Sequence, residues 1–357
     1  MKTWLGKSRA LFLLGSLALL LAGCGRENLT ALVPKGYGAQ SSMNLIILTI
    51  VIMTFVFLAV MIAYVVIILR FRKKKGREDF IPKQVEGSHT LETIWTAIPI
   101  ILVLIMAVPT VIATFDLADT SDQDEHINID VTGKQYWWHF DYPGEEFQTS
   151  QELYIPVNTK VYVNLKTDDV LHSFWVPSIS GKLDANPENL NTLFIEAYEE
   201  GVYFGKCAEL CGPSHSLMDF KVVVVSEEDY ETWVQDMKDF DPEQLELDAV
   251  AQEGKELFEG NSCLNCHAIG SQSGYIENSV PVGPDLTAFG TRSRLAGIKP
   301  FTKENIVDWL VDPEAIKPDN KMTGAYPELS NEEAEKIAEY LLQLNPSEVG
   351  PDTVGAQ

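Results

Sequence analysis

Residues 207–218 read Cys207-Ala208-Glu209-Leu210-Cys211-Gly212-Pro213-Ser214-His215-Ser216-Leu217-Met218, which places two thiols, an imidazole and a thioether within twelve residues. A further imidazole, that of His172, lies 35 residues before the first thiol. Sulfur and imidazole donors together suit copper, and soft sulfur favours the cuprous ion. A single-copper electron-transfer site needs only one cysteine, so two cysteines on one loop, each able to bridge, allow two metals.

Two other interpretations use some of the same side chains. Outside the cytoplasm Cys207 and Cys211 could form a disulfide, and a Cys2His2 set could hold zinc. Neither interpretation gives Met218 a role. An odd number of cysteines also argues against a pure disulfide framework; the five are Cys24, Cys207, Cys211, Cys263 and Cys266.

The residues around this loop, 126–225, carry the pattern of β-strands. β-Branched and aromatic residues recur in Leu153–Leu165, where 161–165 alternate, and in Lys221–Val225. Turn signals such as Tyr142-Pro143-Gly144 and Gly181 separate these runs. The pattern predicts an all-β sandwich.

The loop resembles the dinuclear copper (copper A) loop of cytochrome c oxidase subunit II, C-x-E-x-C-x-x-x-H-x-x-M with a distant upstream histidine. The resemblance covers about residues 43–225 and includes Glu92-Thr93-Ile94-Trp95-Thr96. It implies a cupredoxin sandwich over 116–225, in which two cysteines bridge two coppers. The implied ligands are Cys207 and Cys211 as bridges, His172 and His215 as terminal imidazoles, and the Met218 sulfur and Glu209 backbone carbonyl as weak axial donors.

Three further positions follow from the same resemblance. The Glu209 side chain matches a ligand to magnesium or manganese at the interface with oxidase subunit I. The run Tyr136-Trp137-Trp138 matches the place where electrons enter, although the family often has tryptophan where Tyr136 stands, and some of these rings also belong to the core. Glu92 matches the mouth of a proton pathway into subunit I, and its alternative is a solvated carboxylate at a helix end.

Residues 263–267, Cys263-Leu264-Asn265-Cys266-His267, form C-x-x-C-H, the attachment motif of c-type haem. No histidine follows His267, and Met322 is the only methionine after the motif. Met322 is therefore the candidate sixth ligand, and a lysine or an open position is the alternative. A methionine and histidine pair is typical of electron transfer rather than oxygen chemistry.

Residues 250–345 resemble an all-α class I cytochrome c domain. Gly254 and Phe258 fit its first helix, predicted over Val250–Glu259, Gly283–Leu286 fits the loop behind the proximal histidine, and Glu332–Leu344 fits an amphipathic closing helix. The acidic segment 226–249 predicts a helical linker. We expect the tail, 346–357, to be mobile.

The front of the chain predicts export and two membrane spans. Residues 1–23 combine a basic start with a short apolar run that ends Leu21-Ala22-Gly23-Cys24, which resembles a bacterial lipoprotein signal with Cys24 as the acylated residue; the alternative is an ordinary signal. An extracytoplasmic segment, 24–42, follows. The uncharged runs over 43–69 and 93–115 are long enough to span a bilayer. Six positive charges in 70–77 place the loop 70–92 in the cytoplasm and everything after 116 outside.

The charge distribution separates the chain into two parts. The net charge is −24, but residues 1–115 hold 12 basic and 5 acidic residues, whereas 116–357 hold 15 and 46. Phosphates would be repelled by the second part, which argues against a nucleic-acid partner. The acidic surface suits basic partners.

These features predict an electron relay. An external donor, cytochrome c or another protein, would reduce the haem, which would reduce the copper pair, which would pass electrons to subunit I for oxygen reduction with proton pumping. The fusion resembles the caa-type cytochrome c oxidases, whose complex is the enzyme, since this chain has too few histidines for the oxygen site. The rival is a membrane-anchored carrier that feeds another reductase, such as a copper-A nitric oxide reductase; a quinol oxidase subunit would lack the copper ligands.

Overall fold

A computed structural model describes residues 12–16, 27–72, 86–270 and 281–354. Cys24, the predicted lipoprotein signal apart from 12–16, and residues 73–85 of the predicted cytoplasmic loop lie outside the described residues.

The two predicted spans form helices α1 (Tyr37–Phe71) and α2 (His89–Leu117), and both are long and apolar enough to cross a membrane. Each is longer than its uncharged run, because helical hydrogen bonding continues past the apolar residues. The 35 residues of α1 reach about 52 Å at 1.5 Å per residue. That exceeds a hydrocarbon core of about 30 Å, so the helix is longer than the core it would cross.

The extracytoplasmic ends of the hairpin are tied to each other and to the following domain. The Tyr37 hydroxyl donates to Asp116 Oδ2 at 2.5 Å, which joins the start of α1 to the end of α2. The amides of Tyr37 and Ala39 donate to the carbonyls of Glu196 and Ile179, both at 3.0 Å. The first amides of a helix have no partner within the helix, so these bonds hold the membrane hairpin against the next domain.

That domain is a ten-stranded sandwich, hereafter the sandwich domain. Its strands are β1 (Ile127–Lys134), β2 (Trp137–Tyr142), β3 (Phe147–Ser150), β4 (Glu152–Pro156), β5 (Val161–Thr167), β6 (His172–Trp175), β7 (Lys182–Ala185), β8 (Asn191–Ile195), β9 (Gly201–Cys207) and β10 (Asp219–Val225). The two sheets have the orders β3-β2-β1-β5-β8 and β4-β10-β9-β6-β7. β1 pairs parallel with β5, and β10 with β4, whereas the other pairs are antiparallel.

The apolar run Leu153–Leu165 is divided between the two sheets. β4 and β5 are separated by residues 157–160, where Asn158 takes a φ of 53° that asparagine tolerates better than most residues. The sequence pattern does not reveal this break, because Val157 is itself apolar and continues the strand-like run past the end of β4.

The predicted linker is partly a component of the sandwich core. Helix α3 (Glu227–Asp239) begins after Ser226, whose side chain caps the amide of Asp229. Trp233 is 1% exposed and stacks on Tyr154 with ring centroids 4.2 Å apart. Beyond the helix, Phe240, Leu245 and Leu247 pack against the core of the C-terminal domain. The segment therefore contacts both domains.

We expect Trp233→Ala to lower the free energy of unfolding of the sandwich domain by about 3–5 kcal/mol, the usual cost of removing a buried indole. Differential scanning calorimetry of the solubilised chain measures the effect as a lower sandwich transition. The control is Thr232→Ala, on the exposed side of the same helix, which should change stability by less than about 0.5 kcal/mol. An unchanged transition for Trp233→Ala would mean that α3 is a free linker.

The C-terminal domain is mainly helical, as the class I cytochrome c resemblance predicts. Its helices are α4 (Ala249–Gly260), α5 (Lys303–Val311), α6 (Pro313–Ile316) and α7 (Asn331–Leu342), with a two-stranded ribbon of β11 (Arg294–Leu295) and β12 (Lys299–Pro300). Ser330 and Glu333 form a capping box at the start of α7. Phe258, Ile306 and Ile337 share the buried core.

The described part of the tail is packed rather than free. Helix α8 (Pro351–Val354) lies near its end, and Val349 and Val354 contact the core of the sandwich domain. The Ser347 hydroxyl donates to Asp236 Oδ2 at 2.6 Å. The chain therefore returns to the sandwich domain after the C-terminal domain is complete.

Candidate metal and haem centres

Five predicted copper ligands converge at one end of the sandwich, and we call them the sulfur cluster: His172, Cys207, Cys211, His215 and Met218. Cys207 ends β9, and His172 begins the neighbouring strand β6. The two Sγ atoms are 3.9 Å apart, and each is near one imidazole Nδ1, at 3.8 Å for His172 and 3.6 Å for His215. The Met218 sulfur is 3.8 Å from Cys211 Sγ.

This geometry excludes the disulfide interpretation for this structure, because Cys207 and Cys211 are free thiols. A sulfur–sulfur separation of 3.9 Å is far longer than a disulfide bond of about 2.05 Å. The Glu209 carbonyl is 3.3 Å from Cys207 Sγ, so it lies beside the cluster. Two thiolates flanked by two imidazoles, with a thioether and a carbonyl outside them, form a set that suits two soft metals.

Asp169 is a part of this site that the sequence analysis missed. Its Oδ1 lies 2.8 Å from His172 Nε2, which leaves Nδ1 directed at the cluster. A carboxylate behind a ligating imidazole fixes the tautomer and the ring orientation. The available signal was an acid three residues before His172, and such spacing is too common to be specific.

The two thiols are electrostatically coupled. Their mutual hydrogen bond lowers the pKa of Cys207 to about 3 and raises the pKa of Cys211. The pair therefore releases its protons in separate steps. Because only thiolates bind metal, copper binding supplies the free energy for releasing the second proton.

The predicted haem ligands line one cavity, hereafter the haem cavity. Cys263 and Cys266 stand on a short 3-10 turn, and His267 follows directly. Met322 lines the same cavity, as do Phe258, Phe289, Ile306, Trp309 and Leu341. This is an apolar pocket with two thiols, an imidazole and a thioether, the donor set that a covalently bound c-type haem requires.

The proximal imidazole is oriented by the loop behind it. His267 Nδ1 lies 2.7 Å from the Pro284 carbonyl, so Nε2 is the nitrogen left for iron. Burial lowers the pKa of His267, which keeps the ring in its neutral, ligating form. A side chain at Gly283 would collide with the His267 ring, so this position requires glycine.

Arg292 is a second residue that the sequence analysis missed. It lines the haem cavity and is 8% exposed. Among the described residues its guanidinium donates one hydrogen bond, to the Asp285 carbonyl at 2.5 Å, although a guanidinium has five donors. A buried cation with free donors in this cavity suits the carboxylates of a haem. The only hint of this role in the sequence is that Arg292 lies six residues after Leu286, the last residue of the loop behind the proximal histidine.

The aromatic run lies between the two centres. Tyr136 and Trp137 line the haem cavity, together with Gln135 and Gln151 of the same domain. On its other side Tyr136 contacts the sulfur-cluster loop, since a side chain at Gly212 would collide with its hydroxyl. Trp138 is fully buried, with its ring 5.9 Å from that of His172. The haem cavity and the sulfur cluster thus share Tyr136 as a common wall.

Glu92 lies far along the chain from these centres, in the first turn of α2. Its carboxylate is 3.6 Å from His89 Nδ1; the His89 side chain is fully exposed, and that of Glu92 is about half exposed. The Glu209 side chain is half-buried, and the neighbouring Leu210 is 77% exposed. The structure does not bring Glu92 to the sulfur cluster.

Comparison with known proteins agrees with this architecture. Residues 38–112 match the transmembrane domain of cytochrome c oxidase subunit II, 143–226 match its periplasmic domain, and 251–345 match cytochrome c. Cytochrome c oxidase subunit 2 of Bacillus subtilis (strain 168) is 44% identical over 349 residues, 94% of this chain and 97% of that protein. Its counterpart in Alkalihalophilus pseudofirmus (strain OF4) is 45% identical over 353 residues, 98% and 100% of the two chains. Quinol oxidase subunit 2 of Bacillus cereus is 31% identical over 234 residues, 65% and 80%.

A sulfur cluster and a haem cavity on a membrane hairpin define a membrane-anchored, copper- and haem-binding electron-transfer protein with extracytoplasmic domains. The chain belongs to the cytochrome c oxidase subunit II family and carries a fused C-terminal cytochrome c domain. It is a subunit of the haem-copper oxidase that reduces oxygen. Near full-length similarity to oxidase subunits favours this role over the carrier that would feed a different reductase.

Proposed function

We propose that electrons reach this subunit at a covalent haem, cross Tyr136 to a dinuclear copper A centre, and leave for oxidase subunit I. Cys263 and Cys266 would attach the haem, and His267 and Met322 would ligate its iron. Cys207 and Cys211 would bridge the coppers, with His172 and His215 as terminal ligands and Met218 and the Glu209 carbonyl as axial ligands. The observation that carries the proposal is the shared wall at Tyr136, which lines the haem cavity and touches the sulfur-cluster loop.

Bound haem and copper supply reversible one-electron transfer. The chain contributes rigidity: the cluster side chains are buried, apart from His215, and the Asp169 carboxylate holds His172. With Cys207 and Cys211 holding two coppers, one electron would be shared by both metals, so each bond would change little and the reorganisation energy would be small. A preformed ligand frame serves the same purpose.

The tether raises the local concentration of the electron donor. α3 packs on the sandwich domain, and the segment after it packs on the C-terminal domain. Electron transfer from the haem to the copper therefore becomes an intramolecular step. An external cytochrome c, or another donor, would then deliver electrons to the haem, and the excess of acidic residues after 116 favours a basic donor.

Three further roles belong to the assembled complex. The half-buried Glu209 carboxylate would bind magnesium or manganese at the contact with subunit I. Glu92, in the first turn of α2, would stand at the cytoplasmic mouth of a proton pathway that supports pumping. Acylated Cys24 would add a lipid anchor to the two spans.

The test is purification of the oxidase from membranes, with haem and copper analysis and rapid reduction of the haem by a laser-triggered donor. We expect one haem c per chain, and an electron paramagnetic resonance signal from one electron shared by two equivalent coppers. The haem should be reduced first, and the copper signal should follow as the haem is reoxidised. Copper reduction that precedes or bypasses the haem would contradict the proposed order.

A further inference from the structure

Lys317 of the C-terminal domain has its ammonium group in the contact between the two domains. The residue is 3% exposed. Its Nζ donates to the Tyr136 carbonyl at 2.9 Å and to the Ala296 carbonyl at 2.8 Å. One partner is in the sandwich domain and the other is in the C-terminal domain, so a single side chain joins the two.

The burial of this ammonium is not offset by an ion pair within the part of the chain that the structure describes. Asp219, the acid whose charge acts on it most, is already paired with Lys206 at 2.5 Å. Burial lowers the pKa of Lys317 to about 8, so it still carries its charge at neutral pH. A buried charge held only by carbonyls costs free energy, which a role in packing alone does not explain.

The two residues after Lys317 also bind the sandwich domain. The Ser214 hydroxyl donates to the Pro318 carbonyl at 2.5 Å, and the Tyr136 hydroxyl donates to Asp319 Oδ2 at 2.7 Å. We call these contacts of 317–319 with Tyr136 and Ser214 the clasp. Ser214 immediately precedes the cluster ligand His215, and 317–319 end three residues before Met322. The clasp therefore joins the loops that carry one predicted ligand of each centre.

We propose that Lys317 is a positioning residue for haem-to-copper electron transfer: its ammonium fixes the Tyr136 backbone against the C-terminal domain and places a positive charge between the two centres. The inference rests on the proposed relay. It adds a residue that touches neither metal, and it predicts two separable effects, one on the rate of transfer and one on the haem potential.

The two effects have different physical causes. Loss of the Lys317 contacts lets the 317–319 segment move away from Tyr136, and electron transfer slows as the distance between the two centres grows. Loss of the charge stabilises the oxidised haem relative to the reduced haem, because a cation nearby favours the form with one more electron. The haem midpoint potential should therefore fall.

The test compares Lys317→Met and Lys317→Gln in the intact oxidase. Both should lower the haem midpoint potential in a redox titration and slow copper reduction after laser-triggered haem reduction severalfold. The control is Lys299→Met, an exposed lysine on β12 of the same domain, which should change neither quantity. The haem and copper spectra show whether each variant has kept its ligands.

Asp319→Gly provides a second variant whose folding is not at risk. Asp319 is exposed with a φ of 62°, a conformation that glycine adopts readily. The substitution removes one contact of the clasp but leaves Lys317 and its charge in place. We therefore expect slower electron transfer from haem to copper, by a smaller factor than in the Lys317 variants.

The outcomes separate the inference from the relay. If the unmodified oxidase transfers electrons from haem to copper, and correctly loaded Lys317→Met does so at the same rate and potential, the role of Lys317 is refuted and the relay stands. If the unmodified oxidase shows no such transfer, the relay itself fails. A lower potential and an unchanged rate in Lys317→Met, together with an unchanged rate in Asp319→Gly, would refute the positioning role.

Discussion

Cys207→Ser should lower copper affinity by more than about 100-fold and stop electrons from leaving the subunit, while the haem remains reducible. A serine hydroxyl is a poor ligand for cuprous ions, and the substitution would remove one of the two thiolates that the coppers share. Loss of an outer partner of a metal ligand already costs about 10- to 100-fold in affinity, so loss of a bridging ligand costs more.

Copper analysis of the purified oxidase and the rate of oxygen consumption measure the effect, and the haem c absorption reports on the other centre. Ser216→Ala is the matched control, because Ser216 is an exposed residue of the same loop outside the cluster. It should bind copper normally. Retention of two coppers by Cys207→Ser would refute the ligand set and, with it, the middle step of the relay.

The sulfur cluster could be predicted because its chemistry is local. Four of its five side chains come from twelve consecutive residues, so their order in the chain nearly determines the site. His172 is the exception. It comes close to the thiols because β6 pairs with β9, with Phe174 opposite Cys207. Asp169 escaped prediction because an acid near a histidine has many ordinary explanations.

The clasp could not be predicted because it is a long-range feature. Lys317 and Tyr136 are 181 residues apart, and no local pattern distinguishes a lysine that will be buried between domains from one that will be solvated. Arg292 was missed for the same reason. Both basic residues reveal their roles only through burial, since an exposed cation and a buried one have the same sequence signature.

The linker and the tail show how composition misleads at domain boundaries. Segment 226–249 is acidic, which suggests a solvated connector, yet Trp233 and Met237 on α3 are buried in the sandwich core. Four buried side chains, those of Tyr230, Trp233, Val234 and Met237, decide the packing of α3, and the charged majority only forms its outer face. In the tail, Val349 and Val354 act in the same way.

Met322→Ala should abolish the haem–sulfur absorption band near the red edge of the visible spectrum and lower the haem potential, with the haem still covalently attached. Attachment depends on Cys263 and Cys266, which the change leaves intact. The thioether favours ferrous iron and thereby raises the potential. Each loss of about 59 mV changes the equilibrium constant of a one-electron step about tenfold, so the distribution of electrons between haem and copper should change measurably.

Lys321→Ala tests whether the preceding lysine, rather than Met322, is the iron ligand, since both residues line the haem cavity. It should keep the band, because its amine is not the ligand. Absorption spectra of the oxidised and reduced protein, with a redox titration, distinguish the two variants. A band that survives in Met322→Ala and disappears in Lys321→Ala would reverse the assignment. Because the axial loop runs directly on from the clasp, a change of ligand there would also change which segment connects the haem to Tyr136.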